Sequence, residues 1–272
     1  SLNLYKDGVA EGLNLSDDFI ALTTASHHAE NIHQKMINNW LKKINLKEKH
    51  LSCGPSWPWN IKDQFKAHTK YKVKRKIFHN CSGKHCGHLA VSKYRNLPIK
   101  NYQNKDHPIQ KELIKLIEDL SKYKIKNIGV DGCTLPNPLI PLKKFALAAA
   151  QLADYKRLNE HSAITKRIIN SCVKFPEITG GSKSINSILT KLSKGKAFIK
   201  NGAEGVFVAI IPEKKSALAV KIIDGTRRAA EVAIAGLLSD LKIINNDKIE
   251  KIKKRPIKNS TGQIIGRIEC IG

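Results

Sequence analysis

The densest reactive chemistry lies in Phe78-His79-Asn80-Cys81-Ser82-Gly83-Lys84-His85-Cys86-Gly87-His88, where three histidines, two cysteines, a lysine and a serine surround two glycines. Imidazole, thiol and amine groups at this density serve metal binding or proton-transfer chemistry better than they serve packing. A second group, Val130-Asp131-Gly132-Cys133, places a carboxylate and a thiol directly after a short apolar run. A strand there would deliver both to a sheet edge, so two separate elements are expected to build one site.

The elements that must position these groups can be read from periodicity. Ile32, Met36, Ile37, Trp40, Leu41 and Ile44 follow helical spacing and predict a helix over Ala29 to Lys43. Two prolines and a glycine in Ser52-Cys53-Gly54-Pro55-Ser56-Trp57-Pro58-Trp59 enforce a fixed loop after it, with Trp57 and Trp59 as wall residues. Pro108 opens a second predicted helix reaching Tyr123, and Lys126 to Val130 reads as a strand. Helices are expected over Pro141 to Tyr155, Glu160 to Val173, Ile185 to Leu192 and Thr226 to Leu238. Ala197 to Lys200, Val206 to Ile211 and Ala217 to Ile222 predict an antiparallel meander, which Ile264 to Ile268 is expected to close as a last strand. The lysine-rich stretch from Lys242 to Lys258 reads as a solvated face. No internal repeat or low-complexity linker interrupts this pattern, so a single α/β domain over residues 1–272 is expected.

Composition narrows the partners. The 272 residues carry a formal charge of +25, which points to anionic nucleic acid or membrane surfaces. Of the 48 basic residues, however, 40 are Lys and 8 are Arg, and Arg is the residue that grips phosphates and bases through two parallel hydrogen bonds. That bias argues against nucleic acid. No run of eighteen apolar residues appears, so no spanning segment and no membrane partner is expected. Cysteines at 53, 81, 86, 133, 172 and 270 lack the close, even spacing of a disulfide scaffold and suit reduced thiols in a cytosol.

Six landmarks occur in order. They are Thr24-Ala25-Ser26-His27-His28-Ala29-Glu30, Cys53-Gly54-Pro55-Ser56-Trp57-Pro58, Asn80-Cys81-Ser82-Gly83-Lys84-His85, Asp131-Gly132-Cys133, Lys200-Asn201-Gly202-Ala203-Glu204-Gly205-Val206 and Lys221-Ile222-Ile223-Asp224-Gly225. Together they resemble the bacterial L-asparaginase II family of the Rhizobium type along nearly the whole chain. The resemblance implies an antiparallel sheet flanked by helices, similar to serine β-lactamases and glutaminases. It also implies hydrolysis of the side-chain amide of L-asparagine to L-aspartate and ammonia, a cytoplasmic enzyme, and a homodimer. Relatives use a Ser-x-x-Lys nucleophile upstream of the Ala-Ser-His landmark. Ser1 to Ala25 contains none, so the expectation is a chain lacking the family's N-terminal segment. Later strings such as Ser121/Lys124, Ser171/Lys174 and Ser193/Lys196 sit in the wrong place and arise readily by chance in a lysine-rich chain.

By the same resemblance Ser26 is the family's second active-site serine, relaying a proton or holding substrate, and Lys84, His85 and Asp131 are site residues. Cys81, Lys84 and Cys133 are implied to hold zinc, and Cys86 adds a thiol near that metal. Lys200-Asn201-Gly202 resembles the Lys-Thr-Gly element of β-lactamase-type sites, with Lys200 drawing in a substrate carboxylate. Glu204 and Asp224, with Arg227 or Arg228, are candidates to clamp the amino-acid head group, although a structural ion pair explains them equally well. Lys183, Ser184 and Asn186 depart from the glycine-rich, arginine-containing turn usual after Pro176-Glu177. Each feature also has a plainer reading: a helix cap for Ser26, inert buried thiols for the cysteines, and a solvated strand residue for Lys200. A catalytically inactive zinc- or amino-acid-binding relative is therefore the alternative, with a basic nucleic-acid binder behind it.

Overall fold

A computed structural model describes residues 6–271. Helices α1 (Val9–Gly12), α2 (Asp17–Thr23), α3 (Asn31–Lys43), α4 (Ile61–Tyr71), α5 (Ser82–Tyr94) and α6 (Pro108–Ser121) come first. A hairpin of β1 (Ile128–Val130) and β2 (Pro136–Pro138) leads to α7 (Leu142–Ala153), α8 (Ser162–Lys174), α9 (Pro176–Gly180) and α10 (Ile185–Leu192). Then β3 (Phe198–Asn201), β4 (Val206–Ile211) and β5 (Ser216–Lys221) form a three-stranded antiparallel meander in that order. The chain finishes with α11 (Arg227–Asp240), α12 (Asp247–Lys253), β6 (Lys254–Lys258) and β7 (Ile264–Glu269). The result is a mixed α/β architecture, mostly helical, with small antiparallel sheets.

Strand alternation divides the core into two layers. Successive side chains of a strand face opposite ways, so Ile199, Phe207, Ala209 and Ile211 pack with Ala230, Ile234 and Leu238 of α11. Phe198 and Ile210 face the other way, into the larger cluster built on Trp40, Phe78, Leu89 and Ile168. Lys200 shares the Phe198 parity and is thereby turned toward the helical layer. On that side α6, α7 and α8 and the sheet enclose an apolar cavity of about 680 Å³, lined by Ile117, Phe145, Ile168, Phe198 and Val208 and ending at Thr24.

Helical spacing puts the buried stripe of α3 at His33, Met36, Ile37, Trp40 and Leu41. Ile32 was expected in that stripe but is 48% exposed, and His33 takes its place. Helix α3 begins at Asn31 rather than Ala29 because Ala29 adopts a left-handed φ of 56°. In α6, Pro108 occupies the first turn and the His107 ring accepts the Ile109 amide hydrogen, as a helix start requires.

Two strand expectations are corrected. Ile264 to Ile268 does not close the meander. It belongs to β7, which pairs with β6 in a separate ribbon, Lys254 opposite Glu269. A local turn makes this pairing the easier one, since Asn259 Oδ1 accepts the Thr261 and Gln263 amides and Gly262 supplies φ 85°. The strand before Asp131 likewise joins β2 in its own exposed two-stranded ribbon rather than the central sheet. Lys242 to Lys258 is likewise more than a solvated face, because Asn246 caps α12 and Ile249 is buried beneath it.

Candidate active site

The N-terminus of α5 anchors the site. Ile77 and Phe78 are fully buried ahead of it, and the Cys81 amide donates to His79 Nδ1 at 3.1 Å. A Cβ on Gly83 would lie 2.5 Å from the Leu22 carbonyl oxygen, so glycine is what lets α5 press against α2. That contact brings the segment after α2, which carries Ser26, onto α5.

Histidine then locks the segment in place. Ser82 Oγ donates toward the carbonyls of Ile77 and His79, at 3.1 and 2.8 Å, which leaves its oxygen to accept from His27 Nε2 at 3.0 Å. The other His27 nitrogen, Nδ1, accepts the Ala29 amide hydrogen at 3.1 Å. This pairing demands a neutral ring, and burial accordingly pushes the His27 pKa well below its usual value. Backbone bonds from His27 to Asn80 O, at 3.0 Å, and from Ser26 to Thr179 O, at 2.9 Å, complete the clamp.

Ser26 Oγ stands between two amines. Lys200 Nζ donates to it at 2.8 Å, and Lys84 Nζ at 3.3 Å while also donating to Ala25 O at 2.7 Å. Burial, reinforced by the neighbouring Lys84 charge, drives the Lys200 pKa well below that of a free lysine. A lysine so placed gives up its proton readily and can then accept one from a hydroxyl.

The thiols form a second group within electrostatic reach of Lys84. A turn after β1, closed by the Asp131 amide to Leu135 O at 2.9 Å and by Thr134 at φ 77°, presents Asp131 and Cys133 inward. The Cys133 amide donates to Asp131 Oδ2 at 3.2 Å. Ligand atoms of Cys81, Asp131 and Cys133 all lie within 4.8 Å of one another. Hydrogen bonding from the Cys133 thiol, against the opposing effect of burial and with help from Lys84 and His79, moves Cys81 strongly toward thiolate. The Cys133 thiol is raised in turn because Cys81 accepts its proton. Asp131 remains ionised: burial opposes this, and the Cys133 thiol and amide and the Lys84 charge outweigh it.

The structure therefore brings Ser26, Lys84 and Lys200 together on one side, and Cys81, Asp131 and Cys133 on the other. His85 stands beside the thiol group, where Cys81 and the Cys133 backbone act on its ring. Tyr102 Oη accepts the Ser52 amide at 2.9 Å, so its hydrogen goes to His85 Nδ1 at 2.6 Å, and burial holds His85 down to about 4. Cys86 packs in the apolar core, outside the Cys-Asp-Cys group, and its thiol is pushed up by burial.

The head-group candidates sit around the end of the sheet. Glu204 is an exposed turn residue at φ 55°, with its carboxylate against Gly225. Asp224 is exposed and accepts from the Thr226 amide and hydroxyl at 2.8 and 3.0 Å, a turn just ahead of α11. Arg227 pairs with Glu231 one turn on, at 3.1 Å, and its guanidinium lies 5.5 Å from the Trp59 ring centre. Trp59 also stacks on His28 at 5.4 Å, and burial, together with Arg227, lowers His28 to about 4. Gly181, at φ 123°, makes room for the His28 ring, which a Cβ would approach to 2.8 Å. Sequence reasoning missed the His27–Ser82 lock, the Tyr102–His85 bond and Glu231. Of these only the His27–Ser82 lock had a visible signal, a polar residue in each of two landmarks.

A serine hydroxyl wedged between a part-buried lysine and a second amine is equipment for acyl-group hydrolysis, in which one amine handles the proton and the other offsets developing charge. Residues 1–270 match L-asparaginase II, and the chain belongs to that family. A comparison with curated proteins found no match.

Proposed function

We propose that the chain is an asparaginase that hydrolyses the side-chain amide of L-asparagine to L-aspartate and ammonia, with helices packed around the antiparallel meander in a serine β-lactamase-like arrangement. The observation that carries this reading is Ser26 Oγ at 2.8 Å from Lys200 Nζ. Lys200 in its neutral form takes the Ser26 proton while Ser26 accepts a proton from the attacking water molecule. The water oxygen bonds to the amide carbon, and the C–N bond then breaks as the proton on Lys200 returns through Ser26 to the departing nitrogen, which leaves as ammonia. Lys84, held beside Ser26 by the Ala25 carbonyl, supplies positive charge to the oxyanion. Arg227, which lies close enough to influence His28, is the favoured partner of the substrate carboxylate.

The donor set also fits zinc. Two sulfurs, one strongly biased to thiolate, and an ionised carboxylate lie within a triangle of metal-site size, so Cys81, Cys133 and Asp131 would hold the ion. Lys84 can join them only by giving up its hydrogen bonds to Ala25 and Ser26. Bound zinc would add positive charge beside the reacting carbonyl.

Ammonia release from L-asparagine tests the proposal. Turnover by the purified protein that disappears in Lys200→Met supports it. A protein that binds zinc and asparagine yet releases no ammonia would instead be the inactive binding relative.

A further inference from the structure

Helix α4 is built inside out. Its sheltered side runs through Gln64, Ala67 and Tyr71, with the exposed His68 beside them. Ala67 is buried, His68 stacks on Trp57 with ring centres 3.6 Å apart, and Tyr71 meets Phe78 edge-on at 5.6 Å. Ile61 and Phe65 point the other way and are 83% and 73% exposed. One turn separates them, so they form a single apolar stripe, which Trp59, 51% exposed, extends at the N-terminal end.

Alongside runs a cationic stripe. Lys62, Lys66 and Lys70 repeat at four-residue spacing, and Lys72 and Lys74 follow beyond the helix end. Among the described residues none of these five lysines has an ion-pair partner, although Arg75 is paired with Glu48. Asp63 is the one acidic residue between Trp59 and Lys76. The helix is not loosely held, since Asn60 Oδ1 accepts the Lys62 amide at 2.9 Å and fixes its start.

We propose that α4, with Trp59, is a docking surface for an anionic lipid bilayer. Apolar side chains projecting next to a row of lysines are what an in-plane helix needs: the first group enters the acyl boundary and the second meets the headgroup phosphates. A protruding helix offers no groove to grip an acidic peptide, and a bilayer requires none. The cationic row is all lysine, without the arginine that grips phosphates and bases through two parallel hydrogen bonds, which disfavours nucleic acid. A second copy meeting this same face would set the lysine row against its own, a like-charge contact. The site lies one residue stack away, because Trp59 contacts both His28 and Arg227. Docking would thus set the mouth of the site against the bilayer surface.

Sedimentation with lipid vesicles tests the surface without using turnover. The protein is expected to bind vesicles of phosphatidylcholine containing about one quarter phosphatidylglycerol, and not phosphatidylcholine alone, with binding weakening as salt rises. The double variant Ile61→Glu, Phe65→Glu should reduce partitioning by about tenfold or more, because it removes the inserting groups. Both side chains are exposed, so the melting temperature of the variant should match the parent. Trp40 is buried and Trp57 half-buried under His68, so a blue shift of tryptophan emission on adding anionic vesicles that is lost in Trp59→Phe reports Trp59. No binding to the mixed vesicles would overturn the proposal. So would binding that survives the double variant but vanishes when Lys62, Lys66 and Lys70 become Gln, since that is charge attraction without insertion.

Discussion

Lys84 divides the site into two halves that handle protons in opposite ways. On the Ser26 side, two amines crowd one hydroxyl, and burial, with the Lys84 charge beside it, pushes the Lys200 pKa well below that of a free lysine. On the Cys81 side, a thiol, a thiolate and a carboxylate share too few protons, and Lys84 favours their anionic forms. One half is therefore disposed to take a proton and the other to hold a cation. The same ammonium tunes both, which explains why a lysine is useful at the N-terminal turn of a helix, where the macrodipole disfavours positive charge.

The sharpest way to break the amine half is Lys200→Met, expected to lower kcat for ammonia release by about 10²- to 10⁴-fold, with Ser26→Ala close behind. The sign of the pH dependence follows from the depressed Lys200 pKa: kcat/KM should rise with pH as Lys200 loses its proton and fall on the acid side. Residual activity in Lys200→Met should lack that limb. An unchanged acid limb would assign the ionisation to another group.

Breaking the thiol half should look different. Cys133→Ser is expected to weaken zinc binding by about 10²-fold or more in chelator competition, and Asp131→Asn by about 10- to 100-fold. Cobalt in place of zinc should show thiolate charge-transfer absorption that the Cys133→Ser protein loses. Equal metal affinity in all three proteins would leave the Cys-Asp-Cys group without a metal role.

Smaller effects probe the lock between the halves. His27 and His33 are both lowered by burial, and their rings stack at 4.8 Å. The folded protein resists protonating them while the unfolded chain does not. Their contribution is therefore complete above the unfolded value near 6.5 and declines as pH falls from there toward the folded values. Unfolding free energies from urea titrations should fall by up to about 1.4 kcal/mol per pH unit for each ring over that window. Gly181→Ala should cost about 1–3 kcal/mol, from its φ of 123° and the His28 ring behind it. An alanine variant as stable as the parent would show that the His28 ring can yield.

Much of this was legible in the residues. The meander announced itself through alternating apolar runs, and α6 through its proline and leucine spacing. Helix α5 was not legible as a helix: it is buried nearly all round, so cysteines, histidines and glycines replace the one-sided stripe that marks a helix. Helix α4 escaped for the opposite reason, since its apolar residues face outward. The landmark residues pointed to a shared cavity, yet the burial of Lys200 was no more than an even choice against a solvated lysine. Nothing local to a strand says what will cover it. The separate β6–β7 ribbon was hidden for a similar reason, because periodicity gives a strand its faces but not its partner.

Strand β3 carries one more consequence. Lys200 pairs with Val208, and its neighbour Ile199 belongs to the layer under α11. A slip of a single residue against β4 would bury the ammonium in that oily layer and leave an isoleucine facing Ser26. Misthreaded molecules would be unstable and would lack the Ser26–Lys200 pair, so under the proposed function turnover would also certify that the sheet was assembled in the right frame.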